Sequence, residues 1–283
     1  MALENFIPEI WAARVLDNLR KSLVYAQAGV VNRDYEGDIR EAGDTVHINA
    51  IGPVTVGTYT KNADMSAPET LTDSALTLVI DRARYFNFLI DDVDRAQQRP
   101  KVMDAAMAEA AYALADDLDQ YVASLYTGVA GGNTIGSDAS PIVPTASTAY
   151  EYLVDLAVLL DDAKVPRSNR WVVVPPWYHG LLQKDPRFVS SGGVQAEQAL
   201  RNGEIGQAAG FRVLVSHNVP NTTGTKYKVI AGHPMAISVA SQVNKVEAYR
   251  PERRFADAVK GLHLYGAKLV RPTGIAVLTA NKS

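Results

Sequence analysis

The chain has 283 residues, 47% hydrophobic and 21% charged, a globular mixture with enough apolar material for one core or two, which excludes a disordered chain. A net charge of -3 gives no basic footprint, so a phosphate-clamping surface is not expected and any DNA is a neighbour rather than a ligand. With no cysteine there can be no disulfide, thiolate metal site, iron-sulfur cluster or cysteine nucleophile.

At the N-terminus Met1 to Trp11 carries Glu4 and Glu9 and lacks the basic-then-apolar pattern of a signal peptide. No stretch approaches the ~20 apolar residues of a membrane helix, so a soluble product of a cytoplasm with no membrane partner is expected. From Pro8 to about Ala28, Ile10, Trp11, Leu16, Leu19, Leu23 and Val24 recur at helical spacing, and Gly29 supplies a stop. Val30 to Gly43 mixes charge with glycine and reads as an arm.

Thr45 to Ile51, Val54 to Thr60 and Ala75 to Leu89 alternate Val, Ile, Thr and aromatics and predict strands. With the polar stretch Lys61 to Ser74 between the last two, they predict a hairpin projecting from the body, since eight residues of strand span ~26 Å. Such a hairpin has little core of its own and needs a partner surface. Pro100 then opens an alanine-rich helix running to Tyr126, ~40 Å long and ended by Gly128.

Gly128 to Ser147 is a glycine, serine and proline loop, after which Thr148 and Glu151 form a capping box ahead of a third helix with Leu153, Leu156 and Leu160. Arg170 to Val174 predicts a buried strand, Pro176 to Gln183 a short helix, and Phe188 to Gly203 a loop around a possible short helix. Strands at Phe211 to Ser216, Tyr227 to Ala231, Ile237 to Tyr249, Val259 to Val270 and Ile275 to Thr279 complete the chain. Helices and strands intersperse without strict alternation, so the fold class is α+β.

Motifs that carry chemistry are scarce. The histidines His47, His179, His217, His233 and His263 are scattered, with no zinc pair on a helix, and read as satisfied or solvated groups. Asp91, Asp92 and Asp94, then Asp116, Asp117 and Asp119, then Asp161 and Asp162 lack a calcium-loop pattern and read as carboxylates facing water. Gly128 to Gly136 follows a helix and lacks the lysine of a phosphate loop, and Ser216 beside His217 has no nucleophile elbow. No catalytic residue, cofactor or metal site is therefore expected. Arg250, Glu252, Arg253 and Arg254 form the densest charge run, either a solvated turn or an ion-pair network between subunits.

Four segments sharpen this reading: Phe6 to Trp11 (FIPEIW), Arg170 to Pro175 (RWVVVP), Gly203 to Phe211 (GEIGQAAGF) with Ser216 and Pro220 after it, and Tyr265 to Pro272 (YGAKLVRP). In their order, and on the sequence of elements above, they resemble the Hong Kong 97-type capsid proteins of tailed phages. The resemblance implies an N-arm over 1–43, an E-loop region over 44–90 and a peripheral P-domain with its spine helix over 91–130. It further implies an axial A-domain over 131–233, P-domain return strands over 234–271 and a last A-domain strand over 272–283. It implies a structural protein, not an enzyme, that assembles into hexamers and pentamers of an icosahedral shell around double-stranded DNA.

The same resemblance places intersubunit contacts at Lys61, Asp64 and Glu69 of the hairpin and at Arg250, Glu252, Arg253 and Arg254. Some relatives join their shells by a lysine–asparagine bond. No asparagine occurs from Lys245 to Ala280, so a non-covalent shell is expected, with room for a cement protein. No long acidic helical segment precedes the arm, which favours a separate scaffolding protein beside the portal. An encapsulin-like bacterial compartment and, more distantly, a soluble hydrolase are the alternatives.

Overall fold

A computed structural model describes residues 23–34, 45–51, 56–59, 61–62, 64, 73–91, 102–185, 187, 206–252 and 256–282. In chain order its main elements are β1 (Thr45–Ile51), β2 (Asp73–Val79), β3 (Arg82–Asp91), α1 (Val102–Ser124), β4 (Thr134–Ile135), α2 (Ala149–Asp162), β5 (Trp171–Val174) and α3 (Pro176–Gln183). There follow β6 (Gln207–Ala208), β7 (Phe211–Val215), β8 (Asn221–Thr222), β9 (Lys226–Gly232), β10 (Ile237–Tyr249), β11 (Ala256–Leu269) and β12 (Ile275–Asn281).

The Val-rich run Trp171–Val174 is buried along its whole length because it lies inside a seven-stranded mixed sheet, β4-β12-β9-β5-β7-β6 with β8 paired onto β9. Strand alternation splits its side chains between two cores. Trp171, Val173, Ile230 and Ile275 join the cluster that includes α1, whereas Val172, Val174, Val229, Ala231, Ala276 and Leu278 join the one built on α2 and α3. On α2, Leu153, Leu156 and Leu160 are fully buried at helical spacing, each contributing about 1.5–3 kcal/mol relative to exposure.

A second sheet, β10-β11-β3, is antiparallel throughout. Its long hairpin packs on α1, whose buried face runs Met107, Ala111, Leu114, Ala115, Leu118 and Val122. Gly261 leaves room on that face for the ring of Phe86. On the opposite side Leu78 and Ile80 pack on Ala240 and Leu264, seating the base of the β1–β2 hairpin against β10 and β11. Gly266 permits this, because a side chain there would overlap the Val79 carbonyl oxygen.

Several expectations are corrected. Leu23 to Ala28 is not helical, since its amides bond a side chain of α1 instead of one another; the rest of the predicted N-terminal helix lies outside the described residues. Residues 56–59 form no strand. The stretch Ala75 to Leu89 is two strands in different sheets, broken at Ile80 and Asp81 where the chain crosses β11. The Thr148–Glu151 capping box does not form. Thr148 Oγ1 accepts from the Thr145 amide at 3.0 Å, and Glu151 pairs with Arg187 at 2.9 Å. The loop after α1 holds β4, fixed by buried Asn133, whose side-chain amide donates to the carbonyls of Thr273 and Ile275 at 2.9 and 3.0 Å. The predicted Phe188 to Gly203 loop lies outside the described residues.

Candidate functional site

The residues singled out for contacts between copies occupy the ends of two different hairpins. Lys61 and Asn62 form a turn beyond the paired part of β1 and β2, with Asn62 in the left-handed region at φ 68. Lys61 and Asp64 are exposed, and beside them Val56 is 93% and Tyr59 70% exposed. Arg250 and Glu252 are exposed where β10 ends, roughly 26 Å along the strands from the hairpin base at Leu264. Glu69, Arg253 and Arg254 lie outside the described residues. The two groups belong to two different hairpins.

Ser216 and His217 do not form a nucleophile and base. The Ser216 hydroxyl oxygen accepts from the Asn218 amide at 3.1 Å in a local turn, while His217 is exposed. Nor is every histidine satisfied: His263 on β11 is fully buried, and neither ring nitrogen has a hydrogen-bond partner among the described residues. Burial first, then the charge of Arg33, push its pKa down to about 4, with Asp117 opposing.

Sequence reasoning singled out the acidic triplet on α1 but read it as facing water. Asp119 is 2% exposed and takes the amides of Val24 at 2.9 Å and of Tyr25 and Ala26 at 3.1 Å. Burial raises its pKa and those amide bonds pull the other way. Asp117 accepts from Arg84 of β3 at 2.9 Å and from the Tyr265 hydroxyl of β11, whose pKa burial and that bond raise to about 12. Asp116 accepts from the Asn218 side chain at 2.7 Å. The expected solvated cluster is instead a junction tying arm, second sheet and the loop after β7 to one turn of α1.

Asp161 is also engaged. It bonds Arg167 at 2.7 Å and buried Arg170 at 2.6 Å, and these bonds hold its pKa below the usual carboxylate range. Lys228, 4% exposed, bonds Asp138 at 2.6 Å and Thr279 at 3.1 Å, which lowers the Asp138 pKa. These groups brace strand to helix and loop, the work of a protein that must keep its shape.

A family model described as phage capsid protein matches residues 73–278. A solved structure from Mycobacterium phage Che8 is 30% identical, covers 98% of this chain and 98% of that chain, and has a TM-score of 0.72. The capsid of cyanophage P-SCSP1u is 18% identical with 89% and 86% covered and a TM-score of 0.67. The encapsulin complex from Synechococcus elongatus is 12% identical with 85% and 82% covered and a TM-score of 0.53. At the last two identities the likeness shows the fold alone. No curated protein matches the sequence. The family match over most of the chain, with the end-to-end Che8 likeness, establishes that the chain belongs to the phage capsid protein family: it is a structural, major capsid protein of a tailed phage, a component of the virion shell with the Hong Kong 97-type fold.

Proposed function

We propose that copies of this chain form the hexamers and pentamers of a head that encloses double-stranded DNA, and that the protein has no catalytic role. Residues 1–43 act as the N-arm, 44–90 as the E-loop, 91–130 and 234–271 as the P-domain, and 131–233 with 272–283 as the A-domain. Assembly takes place in the host cytoplasm with a separate scaffolding protein and a portal, and the non-covalent shell leaves room for a cement protein. Lys61, Asp64 and Glu69 carry contacts from the hairpin, and Arg250, Glu252, Arg253 and Arg254 carry them from the β10–β11 turn.

The observation that carries this reading is the surface around Lys61, where Val56 and Tyr59 are 93% and 70% exposed. Apolar groups at the end of a projecting hairpin gain free energy when another copy covers them. Repetition of one contact by symmetry then closes a shell. Expression with scaffold, negative-stain microscopy and a denaturing gel test it. Closed icosahedral shells that dissolve to a single monomer band are expected. A compact monomer that never assembles sinks the reading, and a ladder above the monomer sinks the non-covalent part. The encapsulin-like alternative shares the fold, and particles enclosing a cargo enzyme in place of DNA would decide for it.

A further inference from the structure

We propose that a cleft between the arm segment and the seven-stranded sheet is a seat for a carboxylate side chain of a second copy of this chain, held by Arg212. The cleft encloses about 410 Å³ and is lined by Gly29, Trp171, Gln207, Gly210, Arg212 and Pro234, with Asn169 and Arg170 at its side. Strand register builds it. Gln207 pairs with Arg212, Arg212 with Trp171, and Trp171 with Gly232, so one row across the sheet presents these residues on one face. Glycine keeps the cleft open. Gly29 at φ 96 and Gly210 at φ 79 hold positive backbone angles, and a side chain at Gly210 would meet only open space.

The cleft holds donors without acceptors. Of its two guanidinium groups, Arg170 is fully engaged, bonding Asp161 and the carbonyls of Pro166, Ala157 and Val165. Arg212 is exposed, its guanidinium reaches toward Gly29, and that guanidinium has no hydrogen bond or ion pair among the described residues. Trp171, 1% exposed, has an indole N–H with no acceptor among the described residues. A planar, doubly accepting anion answers an unpaired guanidinium fork, and a carboxylate is the side chain of that shape.

Charge complementarity names a second copy as its source. The chain has 31 acidic against 28 basic residues, and Asp64 and Glu252 are exposed carboxylates with no partner among the described residues. In a closed assembly every copy offers the same seat and the same acids to its neighbours. The contact rests on the shell reading above.

The test uses the full chain with scaffold. Arg212→Glu should leave the melting of free subunits unchanged and lower the yield of sedimenting shells at least about tenfold. A second change of an exposed acid to lysine, Asp64→Lys and Glu252→Lys first and then other positions by selection, should restore the yield. Parental yield from Arg212→Glu, or a lost yield that no acid-to-base change restores, overturns the seat. Normal shells that fail only to hold DNA overturn it in favour of a phosphate contact. If the parental chain itself forms no shells, the shell reading falls and this contact with it, whereas normal Arg212→Glu shells sink the contact alone.

Discussion

Replacing Asp119 by alanine removes one side chain and leaves three backbone amides, those of Val24, Tyr25 and Ala26, without their acceptor. Tyr25 and Ala26 are 1% and 0% exposed, so water reaches them only if the segment lifts away. Each buried amide left unpaired costs about 1–3 kcal/mol, a total reduced by the desolvation cost of the buried carboxylate, which alanine no longer bears. The net loss is about 3 kcal/mol, and it falls on the docking of residues 23–31, whose Tyr25, Ala26, Val30 and Val31 enter the main core. Hydrogen exchange reads it directly: at ~1.4 kcal/mol per decade, amides 24–26 should exchange about 100-fold faster in the variant. Asp119→Asn keeps an acceptor oxygen toward Tyr25 and Ala26 and should fall between the two. Exchange at these amides indistinguishable from the parent would refute the idea that Asp119 anchors the arm.

Gly266→Ala should destabilise by about 3 kcal/mol or separate the β1–β2 hairpin base from β11, because the new methyl overlaps backbone at Val79 and Ile80. Gly261→Ala meets only the ring of Phe86, which can turn aside, so urea midpoints should fall less there; the reverse order would contradict the packing. Acid should also weaken the fold through His263. Its folded pKa of about 4 lies below the ordinary 6.5, so the stability its neutral form contributes is complete above 6.5 and is lost as pH falls toward 4. The total is about 3 kcal/mol, partly offset by Asp119, whose raised pKa makes the folded state take up that proton more readily. His263→Leu should flatten the urea midpoint between pH 7 and about 4, and an unchanged pH profile in that variant would exclude His263 as the cause.

The β10 strand, α3 and the buried Trp171–Val174 run were legible because each is set by local pattern: alternation, a proline at a helix start, an unbroken β-branched stretch. What was not legible depends on partners distant in sequence. Nothing near Ile80 and Asp81 announces that one apolar run serves two sheets, since Gly266, the residue that lets the chain cross there, lies far downstream. The capping box failed for the same reason, because Arg187, 36 residues on, competes for Glu151. Of the candidate contact residues, Lys61, Asp64, Arg250 and Glu252 are exposed toward the ends of two hairpins, while Glu69, Arg253 and Arg254 lie outside the described residues. Arg212 was not legible, since its significance comes from register with Trp171 and Gln207.

The acidic triplet shows how a physically sound rule misleads. Carboxylates close together on a helix normally face water, because burying one charge is costly and burying several is more so. A helix, however, turns about 100° per residue, so Asp116, Asp117 and Asp119 point in three directions and need not share an environment. Each meets a different segment: the Asn218 side chain, Arg84 with Tyr265, and the amides of residues 24–26. One turn of α1 thereby ties together pieces that packing alone would leave to slide, since apolar contact is non-directional and hydrogen bonds are not. On the shell reading proposed above, in which arm and hairpin reach neighbouring copies, such a junction turns contacts on the outside into constraints on the body, and the Asp119 and Gly266 variants break that link from its two ends.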